Sequence, residues 1–245
     1  MKNRMIPAMI PCALMLASVA GAAQAGSWGR IYPQVSVVSD YRYDGVSSSD
    51  GHPVLQGDLY WWRPDNAYAG LFVTQVDFND PGKTSYEVDV YAGKYVPMGK
   101  TRVKLEAMYT AFPDNRTWGP TYDFLTLKVG ATRRFDKLTL GTDASWTPMA
   151  SYGAGEAVRV AGEATYRLTP ELTVGGKLTR RWVHKGYDRT AWNLGATTTY
   201  RNLTFDLRYY DTDLSLKECR YQDWCSHAVV AKVTARLRPL HRRGD

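Results

Sequence analysis

The sequence predicts an all-β fold: a single antiparallel up-and-down transmembrane β-barrel of about twelve strands. Three observations support it. Apolar residues alternate with polar or charged residues at period two, short and long links alternate between these segments, and aromatic residues recur near the segment ends. No segment after the first 25 residues approaches the ~18 uninterrupted apolar residues of a membrane helix. Any membrane-spanning part of the mature chain must therefore consist of strands.

The chain begins with a segment typical of a secretory signal peptide. A basic start precedes an apolar stretch at 5–20, and Ala-Gln-Ala at 23–25 offers a small-residue cleavage site. The alternative is an anchoring helix that the mature protein keeps, but the apolar stretch is short and contains two prolines. We predict a signal peptide over residues 1–25 and a barrel domain with a basic C-terminal tail over residues 26–245.

The alternation locates the strands. In one segment, Tyr86, Val88 and Val90 share a phase, and Glu87 and Asp89 share the other. One face of such a strand is apolar and the other carries charge. Applied along the chain, the rule predicts strands at 30–43, 54–63, 68–78, 85–96, 101–110, 123–134, 138–147, 158–168, 172–183, 191–200, 203–211 and 227–237.

The links between the predicted strands alternate in length. "PMGK", "FDK" and "RN" are short, whereas "DGVSSSDGHP", "AFPDNRTWGPTY" and "TDLSLKECRYQDWCS" are long. Short periplasmic turns and longer extracellular loops are typical of outer-membrane barrels, whereas a soluble Greek-key sandwich has no reason to keep this rhythm. An open sheet edge in lipid would leave backbone groups unpaired at several kcal/mol each, so the first and last strands are expected to pair.

Aromatic residues near the predicted strand ends favour two membrane girdles. Trp and Tyr favour the bilayer interface because the ring is apolar while its N–H or O–H stays hydrated. On this interpretation, 41–62 is the first hairpin, and its polar loop lies outside the cell. The predicted girdle residues are Tyr60, Trp62, Tyr68, Tyr109, Trp146, Tyr166, Trp182, Trp192, Tyr200 and Tyr209.

Charged residues on the phase opposite the apolar one are predicted to point into the lumen. Two interpretations stay open: a mutually neutralising network that fills or wets the barrel, or a polar pore that orients small solutes. A secreted or periplasmic soluble barrel that binds an apolar ligand is the alternative function, and it would need the inverse arrangement, with the apolar phase inside. The candidate lumen charges are Asp58, Glu87, Asp89, Arg102, Lys104, Glu106, Lys128, Asp143, Arg159, Glu163, Arg167, Lys177, Arg181, Asp206, Arg208, Lys232 and Arg236.

Two cysteines remain after signal cleavage. Cys219 and Cys225 have five residues between them, and an exported chain most simply joins such a pair in a local disulfide. A metal pair is the competing interpretation, with His227 giving only three ligands. Such a ring would hold Arg220, Tyr221 and Trp224 for a binding partner, or it would protect the loop against proteolysis. Trp118 in another long loop poses the same choice between contacting a partner and folding over the barrel mouth.

No catalytic, cofactor-binding or metal-binding residues are predicted. Ser226 and His227 are neighbours whose side chains would face opposite sides of a strand, and His52 lies beside the serines at 47–49 without a recognisable hydrolase motif. The net charge of +7 comes from basic residues scattered singly, so no nucleic-acid partner is expected. Expected partners are outer-membrane lipid, the barrel-assembly machinery and a small polar solute, in the outer membrane of a Gram-negative bacterium. The oligomeric state stays open.

A specific pattern occupies residues 41–95. "YRYDGVSSSDGHPVLQGDLYWW", "NAYAGLFVTQVDF" and "YEVDVYAGKY" resemble the N-terminal signature of Gcw-chp, a proteobacterial family of uncharacterised exported proteins. The resemblance implies an outer-membrane barrel and supplies no established activity. Asp44 stands where the family usually has Arg. The matching positions are Tyr41, Tyr43, Gly45, Ser47, Ser49, Pro53, Gln56, Gly57, Tyr68, Gly70, Val76, Asp77 and Phe78.

Overall fold

The computed structural model describes residues 28–116 and 121–240, and within these residues twelve antiparallel strands form one closed barrel. The predicted fold class is therefore confirmed. The signal peptide predicted at 1–25, Trp118 and the end of the predicted basic tail lie outside the described residues. The barrel strands are β1 (Arg30–Val38), β4 (Val54–Trp62), β5 (Ala67–Gln75), β6 (Tyr86–Met98), β7 (Thr101–Ala111), β8 (Phe124–Phe135), β9 (Leu138–Ala150), β10 (Gly155–Arg167), β11 (Leu172–Val183), β12 (Arg189–Tyr200), β13 (Leu203–Thr212) and β14 (Ala228–Arg236).

Two further strands, β2 (Arg42–Tyr43) and β3 (Val46–Ser47), pair with each other in a small hairpin apart from the barrel. Helical structure in the described ranges amounts to single 3-10 turns at Ser151–Gly153 and Asp223–Cys225. Over the same ranges, no helix has the length and apolar character needed to cross a membrane.

The barrel closes between its first and last strands, as expected. β1 pairs with β14 from Gln34↔Arg236 to Val38↔Lys232, and its other edge pairs with β4. Beyond β14 the chain stays on β1, because Ile31 and Leu240 exchange backbone hydrogen bonds of 3.0 and 2.8 Å. The described start of the predicted basic tail therefore extends the closing seam.

The two barrel ends differ as the sequence predicts. At one end the strands are joined by turns at 63–66, 99–100, 136–137, 168–171 and 201–202. At the other end most links are longer, at 39–53, 76–85, 112–123, 184–188 and 213–227. The long link predicted at 148–157 is wrong: β9 continues to Ala150 and β10 begins at Gly155, with a shift of register between Gly155 and Ala157. We call these the turn end and the loop end.

The two faces of the wall have opposite chemistry. Large apolar side chains point away from the barrel: Leu105, Leu178 and Leu194 are 50%, 57% and 66% exposed. Polar and charged side chains alternate with them and fill the interior. An apolar outer band and a polar interior are the arrangement that a barrel requires in lipid.

The aromatic prediction is correct for the outer face and wrong for three residues. Tyr60, Trp62 and Tyr68 do not belong to a girdle; they stack with one another inside the barrel, and Tyr68 is only 3% exposed. Their phase is that of Asp58, which also points inward. The predicted girdle residues that are exposed on the outer face near the two ends are Tyr109, Trp146, Tyr166, Trp182, Trp192, Tyr200 and Tyr209.

The first loop also departs from the prediction. The strand predicted at 30–43 ends at Val38, because the chain then turns into the barrel mouth and forms the β2–β3 hairpin. The loop predicted to lie outside the cell thus packs against the interior: Tyr41 contacts the ring of Phe72 at 6.3 Å between centroids and donates a 2.7 Å hydrogen bond to Glu87. Burial, and then the Glu87 carboxylate, raise the pKa of the Tyr41 phenol well above its usual value.

Candidate functional site

A cavity of about 540 Å³ lies inside the barrel beneath the first loop. Strands β6 to β13 contribute to its wall, and the hairpin tip at 42–45 covers it from the loop end. Its charged lining residues are Arg42, Asp44, Lys104, Lys128, Asp143, Arg159, Glu163 and Lys177, so cationic side chains are in excess. The cavity has the size and polarity of a site for a small charged solute.

A row of arginines crosses three neighbouring strands above this cavity. Arg159 on β10 lies directly opposite Arg181 on β11, which lies directly opposite Arg189 on β12. Residues opposite each other in an antiparallel pair point to the same face, and like charges in such positions destabilise a sheet. The row needs anionic groups nearby to offset this repulsion.

The hairpin supplies one anionic group. Asp44 Oδ1 and Oδ2 accept hydrogen bonds of 2.9 and 3.0 Å from Arg159 Nε, and Asp44 Oδ2 is 4.0 Å from Arg189 Nη2. The Asp44 side chain is 5% exposed. The Tyr43 ring beside it has the guanidinium carbons of Arg181 and Arg189 at 5.6 and 5.9 Å from its centroid. Hairpin and arginine row thus form one contact.

Local backbone geometry explains how Asp44 reaches the row. Asp44 and Gly45 both have positive φ, +46° and +82°, as Asp-Gly adopts between two strands joined by a two-residue turn. A Cβ at Gly45 would also lie 2.8 Å from the carbonyl oxygen of Asp211 on the wall. Glycine therefore lets the tip approach β13, and the turn directs Asp44 across the lumen.

Asp40 holds the base of this hairpin. Its carboxylate accepts hydrogen bonds from Ser47 Oγ at 2.6 Å and Ser49 Oγ at 3.2 Å, and it pairs with Arg42 Nε at 2.5 Å. Arg42 Nη1 also donates to the carbonyl oxygen of Ser226 at 2.7 Å, which ties the hairpin to the last loop. The serines of the first loop are thus occupied in holding the hairpin.

The Arg189 side chain has unused hydrogen-bonding capacity. Its Nε is buried, and no residue in the described part of the chain accepts a hydrogen bond from it. Its Nη2 donates a long hydrogen bond of 3.3 Å to the carbonyl oxygen of Tyr43. A buried, unsatisfied guanidinium N–H is costly, so this group is ready to bind an anionic acceptor.

Two further charge clusters continue down the wall. Glu106 lies between Lys104 and Lys128, with N···O distances of 2.6 and 2.9 Å. Asp143 pairs with Arg159 at 2.5 Å and lies 3.6 Å from Lys177. The first cluster joins β7 to β8 and the second joins β9 to β10 and β11, and together they form a predominantly basic part of the wall.

The wall on the other side of the lumen is more acidic. Asp58 accepts hydrogen bonds from Gln34 Nε2 at 2.7 Å and from Tyr91 Oη at 2.9 Å. Glu87 and Asp89 are each 8% exposed and lie on the same face of β6. Asp58, Glu87 and Asp89 thus form a more acidic part of the wall on β4 and β6.

The remaining predicted charges also occupy the inner phase. Asp206 contacts Arg208 at 3.1 Å, and Lys232 Nζ donates a 2.8 Å hydrogen bond to Gln56 across β1. Arg102 lies over the Tyr95 ring at 4.4 Å. Glu163 lines the cavity, and Arg167 and Arg236 lie at strand ends beside the turns.

An aromatic cluster, formed by Tyr60, Trp62, Tyr68, Tyr91 and Tyr95, fills the interior towards the turn end. Its ring centroids lie 5.2 to 6.5 Å apart. Tyr68 Oη donates a 3.0 Å hydrogen bond to Glu106, which joins the cluster to the basic wall. A Cβ at Gly93 would overlap the Tyr68 ring, so glycine is required for this packing. The aromatic cluster narrows the lumen towards the turn end, the hairpin narrows it at the loop end, and the cavity lies between the two.

The cysteine prediction is confirmed: Cys219 and Cys225 are joined by a disulfide in the 213–227 loop. The ring positions Trp224, whose Nε1 donates a 2.6 Å hydrogen bond to Asp50 of the first loop. The disulfide loop therefore supports the inward-folded first loop rather than standing apart from the barrel.

The Ser49 hydroxyl hydrogen is shared between Asp40 Oδ1 at 3.2 Å and the main-chain carbonyl oxygen of His52 at 2.8 Å, so the contact with His52 does not involve its imidazole ring. His52 also belongs to a group with Asp50 and Asp77 whose potential metal-ligand atoms all lie within 4.8 Å of one another. Asp50 and Asp77 already accept hydrogen bonds from Trp224 and from the Asn79 backbone.

Comparisons with known proteins agree with the observed fold. A model of a bacterial protein family of unknown function, Gcw_chp, matches residues 22–238. A KdgM porin in complex with disordered oligogalacturonate superimposes with a TM-score of 0.57 and 6% identity, covering 86% of this chain and 98% of that chain. The NanC porin gives a TM-score of 0.54 and 10% identity, covering 87% and 99% of the two chains.

An outer membrane channel from Pseudomonas putida F1 gives a TM-score of 0.54 and 10% identity, covering 89% and 98% of the two chains. No curated protein sequence matches this chain significantly. At identities this low, the likeness to solved structures shows a shared barrel fold alone.

Proposed function

We propose that this chain, which belongs to the Gcw_chp family of bacterial proteins of unknown function, is an outer-membrane channel that passes small polar solutes through its charged lumen. Because the function of the family is unknown, the proposal rests on the geometry of the chain's own site. The observation that carries the proposal is the cavity of about 540 Å³ inside a closed barrel whose outer face is apolar. A solute in that cavity would lie between the hairpin and the aromatic cluster.

The charge distribution supports a solute pathway over a soluble barrel that binds an apolar ligand. An apolar ligand needs an apolar lumen, whereas Lys128, Asp143 and Arg159 line this cavity and Leu105 and Leu178 face outward. Each cation of the cavity lining has a carboxylate partner, and two of these carboxylates, Glu106 and Asp143, are each shared by two cations. We propose that this charged lining orients a polar solute on its way through the lumen.

The three similar barrels are described as porins or an outer membrane channel, which fits the proposed location and role. We further propose that residues 1–25 are removed as a signal peptide and that the barrel-assembly machinery inserts the mature domain. Because the strand number is even, both ends of the barrel chain lie at the turn end, and we propose that this end faces the periplasm. The proposed role is the passage of solutes through the lumen.

Conductance of the purified barrel in planar lipid bilayers tests this proposal. The mature chain is refolded, and its heat-dependent gel shift verifies that the barrel is closed before recording. Discrete single-channel currents, together with uptake of a small sugar into vesicles that carry the barrel, are the expected result. A correctly folded barrel that conducts no ions and admits no solute would refute the channel.

A further inference from the structure

We propose that the arginine row of Arg159, Arg181 and Arg189 is the binding site for the carboxylate group of a small anionic solute, and that Asp44 occupies this site as an internal substitute in the present structure. The inference rests on the proposed channel function and names its solute class. It also gives the first loop a role: a solute carboxylate and the Asp44 carboxylate compete for the same guanidinium groups.

The first argument is the register of the row. Three guanidinium groups on adjacent strands repel each other unless anions lie among them. The wall itself supplies Asp143, but that carboxylate already contacts both Arg159 and Lys177. The remaining positive charge is concentrated at Arg181 and Arg189, on the side where the hairpin reaches the wall.

The second argument is that Asp44 leaves hydrogen-bond donors of the arginine row without an acceptor. Both of its oxygens bond to the same atom, Arg159 Nε, while Arg189 Nη2 stays 4.0 Å away and the buried Arg189 Nε has no acceptor among the described residues. Guanidinium groups bind carboxylates best through two parallel hydrogen bonds. A free carboxylate, without the constraint of a hairpin backbone, can approach Arg189 in that geometry.

The third argument is that the occupant can leave. The hairpin has two residues in each strand, and its attachments at Asp40 and Ser226 lie at its base rather than at its tip. The tip contacts the row through the Tyr43 ring, the Tyr43 carbonyl oxygen, which accepts the long hydrogen bond from Arg189, and the Asp44 carboxylate. The cavity that adjoins Asp44 and Arg159 can hold a solute of sugar-acid size, and Arg189 lines a second cavity of about 280 Å³ that shares Tyr43 with the first.

The test is direct binding of glucuronate to the refolded barrel in detergent, measured by isothermal titration calorimetry, with glucose as the uncharged probe. Asp44→Asn removes the competing charge while keeping a residue that tolerates positive φ. Asp65→Asn is the matched control, because it removes the same charge from an exposed turn at the other end. Asp44→Asn combined with Arg189→Gln tests whether the row itself binds the probe.

Asp44→Asn is expected to bind glucuronate at least about tenfold more tightly than the unmodified protein, whereas Asp65→Asn should match the unmodified protein. Adding Arg189→Gln should abolish the gain, and glucose should bind none of the variants. Equal affinity of Asp44→Asn and the unmodified protein, absence of binding to both, or a gain that survives Arg189→Gln would overturn the inference. The heat-dependent gel shift verifies folding of each variant.

The binding measurement keeps this inference separable from the channel itself. Glucuronate binding that depends on Asp44 and Arg189, in a barrel without conductance, would support the anion site and refute the channel. Conductance in a barrel whose affinity for glucuronate is unchanged by Asp44→Asn would support the channel and refute the anion site. Block of the channel current by glucuronate, stronger in Asp44→Asn, would support both.

Discussion

Truncation of Tyr68 tests whether the aromatic cluster is a packed core that narrows the lumen. Tyr68 is 3% exposed and has the rings of Tyr60 and Tyr95 at 5.5 and 5.2 Å. Removing a buried aromatic ring of this kind costs about 3 to 5 kcal/mol, so Tyr68→Ala should lower the free energy of unfolding by that amount. The space left in the lumen should also raise the single-channel conductance.

Tyr68→Phe separates the ring from its hydroxyl group. The hydroxyl donates to Glu106, which keeps two lysine partners at 2.6 and 2.9 Å after the substitution. The expected cost is therefore about 1 kcal/mol, the value of a typical hydrogen bond, with unchanged conductance. The ring still fills the lumen in this variant.

The assay is guanidinium unfolding of the barrel in lipid vesicles, followed by tryptophan fluorescence, together with conductance of the same preparations. Tyr166→Ala serves as the control, because Tyr166 is 44% exposed on the outer face and does not line the lumen. Its removal should leave conductance unchanged. A loss below about 1 kcal/mol for Tyr68→Ala, with conductance equal to that of the unmodified protein, would refute a packed constriction.

Three further predictions address orientation, the disulfide and pH. Val129→Arg places a charge on the outer face and should lower the free energy of unfolding in vesicles by about 2 to 4 kcal/mol. Thr132→Arg, on the cavity wall, should lower it clearly less. Equal losses of unfolding free energy in guanidinium would contradict the assigned faces. Replacing both cysteines of the 213–227 loop by serine should release the first loop and increase current fluctuations in planar bilayers, and recordings as quiet as those of the unmodified protein would argue against this support. Burial raises the pKa of Asp114, but hydrogen bonds from Ser85 outweigh burial, so the pKa in the folded protein is lower than in the unfolded chain. The contact therefore stabilises the loops at pH values above the unfolded pKa of ~3.9, and this stabilisation is lost as the pH falls through the lower folded value. Faster hydrogen exchange at the Ser85 amide should report the loss, and Asp114→Asn should remove the pH dependence.

The fold could be predicted from the sequence because a barrel wall is governed by local rules. Successive residues of a strand face opposite sides of the wall. In the segment from Tyr86 to Val90, the alternation of apolar and acidic residues therefore shows which side chains face outward and which face the lumen. Each hairpin pairs with its neighbour in the chain, which leaves closure as the one long-range step. Strand ends are less well determined, as the extension of β9 through Pro148 and Met149 to Ala150 shows, because backbone pairing with β10 can continue a strand where the alternating pattern has ended.

The aromatic cluster shows how nearness to a strand end can mislead. Tyr60 and Trp62 lie near the end of β4, where a girdle is expected, but they share the phase of Asp58, while Leu59 on the other phase is 45% exposed. In a barrel the phase decides which side a ring faces, and distance from the end decides only its depth. The phase rule, applied to the aromatic residues as it was to the charges, places these rings inside.

The arginine row and its occupant show where local rules end. Arg189 lies in a segment that the sequence assigns to a link, so the periodicity that finds Arg159 and Arg181 passes over it. Asp44 belongs to a polar loop that the sequence predicts outside the cell, and its contact with Arg159 spans 115 positions. The Asp-Gly dipeptide signals a tight hairpin turn, but no local signal tells a hairpin to fold inward. That choice depends on the charge of the opposite wall: a basic row across β10 to β12 attracts the acidic tip. The same attraction should draw in a solute carboxylate. The positive charge of the row, which no local sequence signal relates to the hairpin, is therefore also what defines the proposed site.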